Sequence, residues 1–262
     1  MNSERVPVLK YRRIGRAAGR QERSHCVSPQ SFAEQMAKLH KKGYQAVGID
    51  GFMAWFRGEA TLPEKAFLLT FDDGFFDLDR HVADLLQEFQ WPAAIFLVTG
   101  LMGQTDEWMQ SQGTSAVHRL LDWEQVEVLK TLGFTVHAHS RSHRDLTLLD
   151  DEQLASEVEG AKRDLAEHGF DARFFAYPYG RCDARVIAAV REAGYEAAFC
   201  NQCGFNRPQR DPFQIRRIQV HGSDSPVNLL RKIELGTNDG SRRARARYYQ
   251  SRLQARIRPG SG

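Results

Sequence analysis

Leu68-Leu69-Thr70-Phe71-Asp72-Asp73-Gly74 carries an apolar run to two adjacent carboxylates and then to a glycine that can turn the chain. The run reads as a buried strand, and along a strand neighbouring side chains point to opposite faces. The two aspartates are therefore expected to do different work. One grips a metal and the other handles a proton.

Outward from this stretch, the pattern alternates between strand and helix. On the amino side, residues 6–9 read as a short buried strand ending at Lys10-Tyr11-Arg12-Arg13. Ser28-Pro29 starts a helix with Phe32, Met36 and Leu39 on one face, stopped by Gly43. A strand near residues 44–49 and a short helical piece over 52–56 follow. On the carboxyl side, Val82, Leu85, Leu86 and Phe89 mark a helix, and residues 93–98 mark a strand. The long stretch 100–120, with Trp108 and Met109, is a loop placed to flank a substrate groove. Asp122 and Gln125 form a capping-box pair before Val126, Leu129 and Leu132. Further strands are expected at 134–137, 173–176, 196–199 and 214–218, with helices over 154–165, 184–193 and 225–236.

About seven such alternations with short connections define an α/β fold with a parallel sheet, either open or closed into a barrel. No GxGxxG or P-loop follows any strand. The unusual polar residues Arg12, Asp50, Asp72, Asp73, His139, His143 and Tyr177 to Gly180 all follow predicted strands. Carboxyl ends are where barrels build their sites, and the barrel is preferred.

Composition supports a single large domain: 262 residues, 42% hydrophobic and 26% charged. The net charge of +3 is uneven, because residues 241–262 hold seven arginines and no acid. Without those seven the remainder stands at about −4, so a mildly acidic body carries a basic tail. The domain is expected over 5–236, and 237–262 as a flexible, partly helical tail able to touch an anionic surface. Cys26, Cys182, Cys200 and Cys203 are too scattered for a disulfide framework, and Cys200-Asn201-Gln202-Cys203 has no second pair to make a zinc site. With no apolar leader or membrane-length segment in view, a cytoplasmic location is expected, and no nucleic-acid partner.

Asp73, His139 and His143 are the metal candidates: two imidazoles and a carboxylate suit Zn²⁺, with Co²⁺ or Ni²⁺ as alternatives. Either a helical turn or a tight loop after the strand would bring His139 and His143 together. His137 reads as a histidine of the core or one that supports the ligands.

Three segments then carry a resemblance. Thr70-Phe71-Asp72-Asp73-Gly74, His139-Ser140-Arg141-Ser142-His143 and Phe175-Ala176-Tyr177-Pro178-Tyr179-Gly180 resemble, in order and spacing, the first three motifs of the polysaccharide deacetylase family (NodB homology domain, carbohydrate esterase family 4). The resemblance covers roughly residues 5–236. It implies a deformed (β/α)7–8 barrel that removes N- or O-acetyl groups from a polysaccharide with a divalent metal, in cell-surface or exopolysaccharide metabolism. It implies Asp72 as general base, Asp73, His139 and His143 as ligands, and the Tyr179 backbone N–H as oxyanion donor.

Two departures stand out. Ala176 occupies the place of an arginine that steadies the catalytic aspartate in the family, leaving Arg173 or Arg217 to substitute. Arg12 stands where relatives have a histidine; it can stabilise an anion but cannot deliver a proton, which leaves His221 as the remaining acid candidate. Two alternatives follow: a glycan-binding or regulatory homologue that has lost catalysis, and a barrel amidase acting on a small non-sugar C–N bond.

Overall fold

The computed structural model describes residues 3–19, 22–112 and 116–257. The elements are β1 (Val8–Tyr11), α1 (Pro29–Lys41), β2 (Gln45–Ala46), α2 (Ile49–Arg57), β3 (Ala66–Asp73), α3 (Asp77–His81) and α4 (Ala83–Glu88). There follow β4 (Ala93–Leu97), α5 (Trp123–Thr131), β5 (Phe134–Ala138), α6 (Asp151–Glu167), β6 (Phe174–Ala176) and α7 (Ala184–Glu192). The chain continues through β7 (Ala197–Phe199), β8 (Ile218–Gln219), α8 (Pro226–Leu235) and α9 (Arg242–Ile257).

Local chemistry sets several helix starts. Ser28 accepts from Ser31 N–H with Pro29 in the first turn of α1, and Asp122 and Gln125 cap α5 reciprocally. The sheet order is β8-β1-β3-β4-β5-β6-β7, with β2 beside the start of β3, and all its pairings are parallel. It curls into a deformed barrel. The seam between β7 and β8 is bridged by Ile215, whose N–H donates to Ala198 O and whose carbonyl accepts from Cys200 N–H.

Alternation along the strands separates two cores. Leu9, Tyr11, Leu69, Phe71, Ile95 and Leu97 pack outward under the helices, while Val8, Leu68, Ala94, Phe96, Phe174 and Phe199 fill the barrel. Phe52, Met53, Trp55 and Phe56 of α2 join this inner cluster. On β1 the inward line continues from Val8 to Lys10, where the filling changes from apolar to charged.

Some expected boundaries move. The helix expected through Phe89 is broken at Val82 into α3 and α4. The last strand is Ile218–Gln219 rather than 214–218, because Gln214 ends a 3-10 turn capped by Asp211 and Ile215 makes only an isolated bridge. Asp50 lies in α2 and pairs at 2.7 Å with Arg173, just before β6, so it stands at the amino ends of the strands and away from the site. Residues 242–257 form a helix, and Arg258 lies outside the described residues. No helix among the described residues is long and apolar enough to cross a membrane.

Candidate metal centre and active site

The strand of the aspartate pair does not end in a simple alternation. Asp73 has φ 73° and Gly74 φ 76°, two successive left-handed residues. Residue 74 suits glycine for a second reason, because a Cβ there would fall 2.5 Å from Leu97 Cδ2. This turn bends the Asp73 carboxylate back toward that of Asp72, so the expectation of opposite faces is corrected. Both converge on one imidazole: His139 Nε2 lies 3.3 Å from Asp73 Oδ1 and 3.9 Å from Asp72 Oδ2.

His139 follows β5, and its Nδ1 donates to the carbonyl of Ala176 at 2.7 Å. A carbonyl only accepts, so Nδ1 carries a proton, and Nε2 is the ring atom turned toward Asp73. His143 reaches the same point from a tight loop rather than a helical turn, with left-handed backbone at Ser140 and His143. Its Nε2 also lies 3.3 Å from Asp73 Oδ1. Glu157 of α6 holds the loop by accepting from the N–H groups of Arg141 (3.0 Å) and Ser142 (2.9 Å) and from the Ser142 hydroxyl. The His143 ring stacks on Trp108 at 4.6 Å and meets Tyr179 edge-on at 4.7 Å. Burial pushes the His143 imidazole down to about 4, against the opposing pull of Asp73.

Asp73, His139 and His143 offer ligand atoms within 4.8 Å of one another, and all three are buried. Asp73 Oδ1 has no hydrogen-bond donor of its own. A buried carboxylate oxygen facing the Nε2 atoms of two imidazoles is an electron-rich pocket that a divalent cation satisfies, so the residues present fit a metal.

The charged surround differs from the sequence expectation. Arg217, fully buried, clamps Asp72 in bidentate fashion, Nη1 to Oδ1 at 2.6 Å and Nη2 to Oδ2 at 2.9 Å. Of the two arginines left open by Ala176, Arg217 reaches Asp72, whereas Arg173 is held by Asp50 and Glu196. Arg12 Nε donates to Asp73 Oδ2 at 2.7 Å, leaving its buried Nη2 without a partner. Burial alone would raise both carboxyls, but nearby cations outweigh it. Arg217, His139 and Lys10 lower Asp72; Arg12 and the imidazoles hold Asp73 well below the carboxylate range.

Tyr179 follows β6 in a turn, with φ 57° and its carbonyl bound to Asn201 Nδ2 at 2.7 Å. His221 does not join the cluster. Its Nδ1 donates to the carbonyl of Ser24 at 2.8 Å, and it has no hydrogen bond or ion pair to Asp72, Asp73, His139 or His143 among the described residues. His137 is core, its ring beside Phe96 and Phe174, and burial lowers it to about 3.

Sequence reasoning missed Lys10, whose Nζ lies 3.9 Å from Asp72 Oδ2 and donates to Asn201 Oδ1 at 2.8 Å. Burial lowers its ammonium to about 7, with Asp72 opposing the shift and Arg217 and Arg12 adding to it. A lysine inside an apolar strand was the available signal. His25 was missed as well: half-buried, it shares a small cavity with Arg12, and burial, then Arg12, lower it to about 4. Asn201 gave no signal.

The family is fixed by comparison with known proteins. The polysaccharide deacetylase family model matches residues 59–198, and the chain belongs to that family. Its members are hydrolases that remove acetyl groups. The chain is 28% identical over 250 residues to the poly-beta-1,6-N-acetyl-D-glucosamine N-deacetylase of Escherichia coli (strain K12), covering 81% of this chain and 36% of that protein. It therefore spans about a third of that relative's length. Among solved structures, IcaB from Ammonifex degensii superposes with a TM-score of 0.71 at 25% identity, over 84% of this chain and 93% of that one. The Streptococcus pyogenes deacetylase PplD, in complex with acetate, gives 0.74 at 21% identity, over 87% and 98%. These likenesses agree with the curled (β/α) barrel.

Proposed function

We propose that the chain is a metal-dependent deacetylase of an N-acetylated glucosamine polymer, with a β-1,6-linked polymer as first choice. The observation that carries this reading is the buried Asp73 oxygen between two imidazoles, with a second, clamped carboxylate beside it. The polymer is suggested by the name of the Escherichia coli relative. A role in cell-surface or exopolysaccharide metabolism follows from that substrate and is part of the proposal.

Asp73, His139 and His143 would hold the divalent ion, with Zn²⁺ the first choice. When bound, such an ion supplies Lewis acidity to a carbonyl oxygen and acidity to a water. Asp72 takes a proton from the attacking water, and Arg217 keeps that carboxylate ionised and aimed. The Tyr179 N–H donates to the oxygen on which charge develops, a donor set before the reaction starts. Arg12, with Nη2 unpartnered, stabilises the same anion or the acetate product.

Protein loaded with Zn²⁺ or Co²⁺ is expected to release acetate from N-acetylated β-1,6-glucosamine oligomers, and chelation is expected to stop it. No acetate from these, from chitin oligomers or from acetylated xylan would overturn the reading. The contact of Arg12 with Asp73 favours a second reading, a homologue that binds glycan without turnover. Glycan binding without acetate release, with activity appearing in Arg12→His, would establish it.

A further inference from the structure

Three side chains far apart in sequence form a line beneath the Tyr179 turn. Lys10 Nζ donates to Asn201 Oδ1 at 2.8 Å, and Asn201 Nδ2 donates to the Tyr179 carbonyl at 2.7 Å. At its other end Lys10 Nζ lies 3.9 Å from Asp72 Oδ2. The line thus joins the strand end that carries the proposed base to the turn that carries the proposed oxyanion donor.

The turn is a place where such a tie matters. Tyr179 has φ 57° and ψ 0°, a conformation that costs an L-residue about 1 kcal/mol or more and persists only when its surroundings impose it. The Tyr179–Gly180 peptide is pinned at both polar atoms: Gly180 N–H donates to Tyr177 O at 2.8 Å, and Tyr179 O accepts from Asn201. The approach is close. A Cβ on residue 180 would lie 2.2–2.4 Å from the Asn201 side chain, and Gly180 itself has φ 68°. Lys10 is almost fully buried, and charged or neutral it keeps an N–H for Asn201, so the tie does not depend on its protonation.

We propose that Asn201, steadied by Lys10, is a positioning residue for the deacetylation. By fixing the Tyr179–Gly180 peptide it holds Tyr179 in its left-handed conformation, and through it the preceding peptide, whose Tyr179 N–H is the proposed donor, in register with Asp72. This rests on the assignment of Tyr179 as oxyanion donor made above.

The test compares Asn201→Asp, Asn201→Ala and Lys10→Met with the wild type, all metal-loaded. Asn201→Asp keeps an acceptor for Lys10 but turns an oxygen toward the Tyr179 carbonyl, so it isolates the second link. The expected result is a fall in kcat of about 10- to 100-fold, as for a slightly misplaced catalytic donor. KM is expected within about twofold of wild type on the same reasoning, with metal stoichiometry unchanged. Hydrogen exchange read by mass spectrometry is expected to speed up in the peptide spanning residues 177–181 and not in the barrel strands. Wild-type kcat and wild-type exchange in Asn201→Asp would overturn the proposal, as would a loss explained entirely by weaker metal binding. Should Asn201→Ala fail to fold, Asn201→Asp and Lys10→Met carry the comparison. If the wild type itself releases no acetate, the functional reading fails, and the exchange data still decide whether Asn201 holds the turn.

Discussion

At the residue scale the site is a small set of buried charges, and two of them make sharp predictions. Arg217 is the bidentate partner of Asp72, and Arg217→Gln would leave a buried carboxylate half-answered. Breaking such a pair costs about 3–5 kcal/mol, so the variant should unfold at lower denaturant and lose at least about 100-fold in kcat while retaining its metal. Denaturant titration, acetate release and metal analysis check the three parts. Lys10 makes the opposite case. Its native pKa of about 7 lies below the ordinary 10.5, so between those values the unfolded chain holds a proton that the native chain lacks. Stability must therefore rise with pH across that window, and the full burden is present below about 7. Lys10→Met should stabilise the metal-free protein by about 2 kcal/mol at pH 6.5 once the lost hydrogen bond is allowed for, and by little near pH 10. Thermal unfolding at both pH values decides it. The grouping of Asp73, His139 and His143 was legible because all three fall in two recognisable segments, residues 70–74 and 139–143. Arg217 could not be separated from Arg173, since Arg217 and Asp72 stand 145 positions apart and only the curl of the sheet joins them.

At the scale of elements, the HxxxH loop is held from outside. Glu157 on α6 takes two backbone N–H groups and a hydroxyl of residues 141–142, so the helix behind β5 sets the pose of both histidines. Glu157→Ala should weaken metal binding about 10-fold, as loss of a group orienting metal ligands does. Competition with a chromogenic chelator measures this. Helices with caps at both ends were readable from sequence, as α1 and α8 show with Ser28-Pro29 and Ser225-Pro226 at their starts. Short strands were not. β2 and β8 are two residues each, and their limits are set by the neighbours they pair with rather than by their own pattern. The opposed aspartates failed for a related reason. Left-handed backbone at Asp73 is a property of the turn, and a non-glycine residue gives little warning of it.

For the whole molecule, alternation of strand and helix gave the barrel, while its irregular seam was hidden. Residues 200–214 carry no strand pattern, and the closure between β7 and β8 runs through an isolated bridge at Ile215 and the bond from Arg217 N–H to Gln202 O. On the other side of β8 the first and last strands are partners, Leu9 beside Ile218 and Lys10 beside Gln219. Order along the chain and order around the barrel are therefore separable. A circular permutant that joins residue 240 to residue 5 by a short linker, omits α9, and opens between α2 and β3 should keep every strand pairing and the metal centre. Circular dichroism and metal stoichiometry close to the parent's are the expected outcome, and loss of cooperative unfolding would refute it. Where the chain is cut is then a matter of genetic history rather than of architecture, and the site belongs to the ring.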